Sequence, residues 1–235
     1  MNTIKNMQAF TRLIGYCTGY GGKYNPGRQT LQVEKLQAQL EAVRQALEEV
    51  KVTKVHFNDE VNARKQAFDD LPKQAASVIR ALKAFGVSEE TMADARQYFR
   101  NIIGRRLPVK PIEKAGDTVE PLPVRRSQMQ LAYVNKVDWF EQLVQTASTQ
   151  PGYQPNETEL SIDGLNSKVK ELHAINQHVL EARQKWHNAR LKRDKLTLGK
   201  EESVMMTSRA VKDYLGAIFG FRSPEYEQVK GIVIN

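Results

Sequence analysis

Between Gln29 and Leu71, apolar residues return every three or four positions: Val33, Leu36, Leu40, Val43, Leu47, Val50, Phe57, Val61, Phe68 and Leu71, with missed beats at Lys54 and Arg64. Such spacing lays one apolar seam along a helix, and its near-3.5 period fits coiled-coil-like packing against a second helix. A chain dominated by such a stretch is expected to be all-α. A helix of about 40 residues is roughly 60 Å long at about 1.5 Å per residue, so an elongated bundle is predicted.

The pattern returns later in the chain. A shift of 129 residues carries Leu36 onto Leu165, Leu40 onto Val169, Val43 onto Leu172, Val50 onto Val179, Phe57 onto Trp186 and Arg64 onto Arg193. The same shift carries Tyr24-Asn25-Pro26 onto Tyr153-Gln154-Pro155. Downstream the shift grows to 134, setting Phe85-Gly86 on Phe219-Gly220 after an insertion of about five residues in a turn, where insertions are tolerated. Apolar matches arise between any two amphipathic helices, but shared Tyr-x-Pro and Phe-Gly punctuation in the same order points to internal duplication. Two helical repeats are therefore predicted, residues 1–104 and 127–235, joined by a proline-rich linker over 105–126 and packed with pseudo-two-fold symmetry.

Each predicted element has start and stop signals. Met7, Phe10, Leu13 and Ile14 mark a short helix over 7–18, after which Gly19, Gly21, Gly22, Pro26 and Gly27 break the chain. Tyr16, Tyr20 and Tyr24 interleave with those glycines; without phosphate-loop spacing they read as a packed turn. Pro72 ends the long helix near Asp70, and the next helix offers Ala76, Ile79, Leu82 and Phe85. A following helix turns Met92, Ala95, Phe99 and Ile102 inward and stops at Gly104. In the second half, a helix over 127–147 presents Leu131, Val134, Trp139 and Leu143, and the second long helix runs from about Thr158 to Leu198. The next helix carries Val204, Val211, Tyr214, Leu215 and Ile218, and the apolar tail 231–234 is expected to dock. At both Phe-Gly junctions the glycine is predicted to end a helix, Ser88 or Ser223 to cap the next, and Phe85 or Phe219 to be buried.

The segment Phe219-Gly220-Phe221-Arg222-Ser223-Pro224-Glu225-Tyr226-Glu227-Gln228-Val229-Lys230-Gly231-Ile232 resembles the closing segment of various uncharacterised bacterial helical proteins. The resemblance covers the last helix and its cap; it implies a shared way of ending a bundle and no activity.

Chemistry is harder to find. The single cysteine, Cys17, excludes an internal disulfide framework and fits a reducing, cytoplasmic setting. No stretch reaches transmembrane length or forms a secretory h-region. Three residues before His56, His173, His178 and His187 stand Thr53, Lys170, Ile175 and Gln184, so no helix carries the Glu-x-x-His of a carboxylate-bridged metal site. No catalytic, cofactor-binding or metal-ligating residue is predicted.

Two polar features remain. The charge of +8 is uneven: residues 1–118 hold 19 Lys/Arg against 13 Asp/Glu, and 119–235 hold 16 against 14. Within the basic run Arg183–Lys195, Lys185, Lys192 and Lys195 form one helical stripe, a candidate contact surface for phosphates or partners and otherwise an ordinary solvated face. Arg64 and Arg193 fall at equivalent seam positions, where a buried cation needs a carboxylate or an exit to water. The functional expectation is a non-enzymatic helical-bundle protein, structural or protein-binding, with a protein partner or self-association. The alternative is a nonspecific nucleic-acid binder using its basic helix faces.

Overall fold

The structure, a computed structural model, describes residues 3–104 and 132–234; the linker 105–126 and the predicted helix start at Ser127, with Leu131, lie outside the described residues. Among the described residues the chain is all-α, with no strand. Eight helices follow in order: α1 (Thr3–Gly19), α2 (Val33–Asp69), α3 (Leu71–Ala84), α4 (Glu89–Ile103), α5 (Tyr133–Ser148), α6 (Ile162–Leu198), α7 (Val204–Phe219) and α8 (Pro224–Lys230). Short 3-10 turns at Gly21–Lys23 and Gln29–Leu31 precede α2, so the first long helix begins after Gln29. Both long helices are 37 residues long.

The chain forms two compact units, 1–58 with 182–235 and 59–181. Each unit draws on both sequence halves, because the unit boundaries fall inside α2 and α6. In the first unit α1 packs on α7 and α8, enclosing Phe10, Leu13, Leu36, Val43, Leu215 and Val229. The tail docks there as predicted, Ile232 and Ile234 buried and Val233 outward, the alternation of an extended segment. In the second unit α3, α4 and α5 pack on one another around Leu71, Leu82, Ile102, Phe140, Leu165 and Leu172. Each such side chain, fully removed from water, contributes about 1.5–3 kcal/mol.

Several predicted faces turn by one position. In α3 the buried side chains are Leu71, Ala75, Val78 and Leu82, leaving Ala76 and Ile79 half-buried at the margin. Leu71 is already helical, with Pro72 in the first turn, where a missing N–H costs nothing. In α5 the inward set is Val137, Phe140, Leu143, Val144 and Ala147, so Val134 faces water at 56% exposure. Ile218 of α7 is likewise exposed.

At the junctions the glycines and serines follow the prediction, and the two phenylalanines do not. After α3, Gly86 is left-handed (φ 69°), its N–H bonds Lys83 O and the Val87 N–H reaches Leu82 O, which satisfies the last carbonyls of the helix. Ser88 Oγ then accepts from Thr91 N at 3.2 Å, and Ser223 Oγ accepts from Tyr226 N at 3.1 Å. Gly220 adopts φ 93°, a conformation glycine takes cheaply. Phe85, however, is 40% exposed, because it closes α3 at the surface and rests edge-on against Tyr153, ring centroids 5.6 Å apart. Phe219 is half-buried against Tyr20. Urea denaturation should therefore show losses of about 0.5–2 kcal/mol for Ser88→Ala and Ser223→Ala. Phe85→Ala should fall clearly short of the roughly 3–5 kcal/mol of a buried phenylalanine.

Candidate interaction surface

The long helices meet in the first unit, and their contacts fix direction. Phe57 of α2 stacks on Trp186 of α6 with centroids 5.5 Å apart and planes 18° apart, and Lys192 Nζ donates to Glu49 Oε2 at 2.8 Å. As α2 numbers rise, α6 numbers fall, so the helices run antiparallel here. Trp186 is half-buried, and its Nε1 makes no hydrogen bond within the protein. Arg190, one turn on, sets its guanidinium 5.3 Å from the Trp186 ring, and Lys54 stands 6.0 Å from it. An electron-rich ring face attracts both cations.

The predicted basic stripe is present but partly committed. Lys185, Lys192 and Lys195 are all exposed, and Lys192 is held by Glu49 from α2. An exposed pair of this kind contributes about 0–1 kcal/mol, yet it tells which sides of the two helices lie together. Three large apolar side chains near this level are exposed: Val52 at 60%, Val55 at 59% and Leu191 at 55%. Val52 and Val55, five and two residues before Phe57, lie together on the outer side of α2, and Leu191, five residues after Trp186, lies on the outer side of α6. The seam reading took these three for none of its core positions and overlooked them as a surface.

The equivalent arginines are not solved alike. Arg193 is half-buried, and its Nε and Nη2 donate to Asp194 Oδ1 at 2.9 and 2.6 Å, so the expected carboxylate comes from the next residue. Arg64 instead lays its guanidinium over the Tyr133 ring, 4.3 Å from the centroid, while its buried Nε makes no hydrogen bond within the protein. An aromatic face is the partner that the sequence analysis did not consider. Cycling Arg64→Met with Tyr133→Leu isolates this contact. Tyr133→Leu should cost about 0.5–2 kcal/mol beside Arg64, and measurably less beside methionine.

Other chemistry-bearing groups are buried or ordinary. Cys17 is buried as a free thiol, and burial pushes it up from 9.0 to about 11. Its neighbour Tyr24 is pushed up too, first by burial and then by Cys17, and its hydroxyl donates to Leu31 O at 2.7 Å. Tyr20 donates to Glu225 O at 2.9 Å, so Tyr24 closes the turn on itself and Tyr20 ties it to α8. Between pH 9.0 and about 11 the unfolded thiol loses its proton while the folded one keeps it, so stability falls as pH rises through that window. Cys17→Ala should flatten part of that fall in denaturation midpoints, and the native thiol should resist aromatic disulfide reagents below pH 9.0.

In the second unit, ligand atoms of Asp138, Glu141 and His173 lie within 4.8 Å of one another, all exposed. Glu141 and His173 face each other at 3.5 Å, the geometry of a surface acid–imidazole pair. The sequence analysis looked for ligands along one helix, whereas this group joins α5 to α6. No described helix is long and apolar enough to cross a membrane. No protein-family model, curated protein or solved structure matches the chain.

Proposed function

We propose that this is a non-enzymatic helical-bundle protein, built from a duplicated helical unit, whose long helices present a surface to a protein partner. The observation that supports this reading is the exposed pair Val52 and Val55, one turn apart on the outer side of α2 among charged residues. Large apolar side chains grouped on one side of a helix are what a partner covers, whereas single scattered ones need no explanation.

Duplication is supported by local detail that recurs at the same offset. Tyr24 donates to Leu31 O and Tyr153 to Leu160 O, each seven residues on and 129 residues apart. The unit holding α1 also holds α7 and α8; the unit holding α5 also holds α3 and α4. Under the repeat these are the same recipe. In an antiparallel pair of equivalent helices one level brings equivalent residues face to face, and Phe57 on Trp186 fits that level. Free, buried Cys17 supports the expected reducing, cytoplasmic setting.

The rival is nonspecific nucleic-acid binding through Lys185, Lys192 and Lys195. Fluorescence anisotropy with duplex and single-stranded probes at low and raised salt separates the two. The proposal expects binding no tighter than about 10⁻⁴ M at physiological salt. A micromolar complex that weakens steeply with salt, and weakens again in Lys185→Glu/Lys195→Glu, would replace it.

A further inference from the structure

The second unit carries a cluster of donor side chains outside the partner surface proposed on α2. We propose that Asp138, Glu141 and His173 form a site for a divalent transition-metal ion of the Zn²⁺ class, held between α5 and α6. The site stands independently of the partner surface.

Asp138 and Glu141, three residues apart on α5, share one helical side, and His173 of α6 stands opposite them. Their ligand atoms lie within 4.8 Å of one another, and among the described residues no other three His, Cys, Asp or Glu groups come so close. Glu141 Oε2 is 3.5 Å from His173 Nε2. A charge-assisted hydrogen bond between such groups closes to about 2.7–2.9 Å. Donors around a tetrahedral ion with bonds of about 2.0–2.2 Å stand roughly 3.3–3.6 Å apart, so the pair is spaced for a shared ion. Rotation of the exposed Asp138 side chain about its χ angles covers the remaining distance.

The backbone under each donor is fixed. Val137, Phe140 and Leu172, each the residue before a donor, are fully buried in the core of the unit, which holds the donors in place before any ion arrives. Packing alone does not call for the trio. In the first unit the buried Phe10, Leu13, Ile14 and Cys17 of α1 match Phe140, Leu143, Val144 and Ala147 of α5 at a shift of 130 residues. Gln8, Thr11 and Arg44 then stand where the second unit has Asp138, Glu141 and His173, and they are no ligand set. One imidazole with two carboxylates suits a first-row transition ion, whereas Mg²⁺ and Ca²⁺ favour oxygen-only shells. Three protein donors leave a coordination position to water. Lys170, three residues before His173 and exposed, is an opposing charge that the two carboxylates outweigh.

Isothermal titration calorimetry of the full chain with zinc chloride in a chelator-free buffer, with thermal melts followed by circular dichroism, tests this directly. The expected result is one saturable site that raises the melting temperature and that excess Mg²⁺ does not displace. His173→Ala and Glu141→Gln should each weaken it by about 10-fold or more, at least what loss of a supporting residue costs at such sites. Helicity should be unchanged, because both side chains are exposed and neither belongs to the core. His178→Ala, which removes the imidazole 4.0 Å from Glu60, should leave the site intact. An absence of saturable binding, or binding indifferent to His173→Ala and Glu141→Gln, overturns the proposal. Loss in His178→Ala without loss in His173→Ala places the ion elsewhere and overturns it equally.

Discussion

A 37-residue helix with few apolar positions cannot hold itself straight in water by intrinsic propensity; most helical stability comes from burying one face. The lengths of α2 and α6 are therefore the constraint that the other elements serve. Leu36, Leu40 and Val43 of α2 lie in the core of the first unit, and Phe68 at its other end lies in the core of the second. Leu165, Val169 and Leu172 of α6 enter the second core, and Leu196 packs partly against the first. The short helices supply the rest of both cores. Between residues 51 and 58 of α2 no side chain is fully buried, and there Phe57 stacks on Trp186 of α6.

The elements were legible because their signals are local. Glycine at Gly86, Gly104 and Gly220, serine at Ser88 and Ser223, and the three-four spacing of Leu36, Leu40 and Val43 act within a turn or two of themselves. Faces were legible only to within one position, since α3 offers Ala75/Val78 and Ala76/Ile79 as adjacent apolar rows and only the neighbouring helices decide between them. Phe85 was misread for a related reason. An apolar residue at a helix stop lies at an end, where partners on every side are not guaranteed. The grouping of α1 with α7 and α8, and of α5 with α3 and α4, depends on packing between distant elements and has no local signature.

The polar features show the same limit. Sequence identified Arg64 and Arg193 as the places where a seam must solve a charge problem; Arg193 is met by adjacent Asp194, and Arg64 by the face of Tyr133 with its buried Nε left without a hydrogen bond in the protein. Equivalence of position did not give equivalence of partner, because Arg193 has a carboxylate next in the chain and Arg64 has Lys65. The Asp138–Glu141–His173 group was illegible, since its members come from two helices whose register no single-helix pattern contains.

The same register puts Val52 and Val55 on the outer side of α2 and Leu191 on the outer side of α6. A seam between two helices covers about a third of each helix surface and leaves the opposite sides to water. Charged residues ordinarily fill those sides, as Glu48, Lys51, Lys185 and Lys195 do here. Placing valines one turn apart among them on α2 adds nothing to either core. β-branched side chains at exposed helical positions also carry a small propensity cost relative to lysine or glutamate. Neither described core recovers that small cost, which is the physical ground on which a partner is proposed for this side of α2.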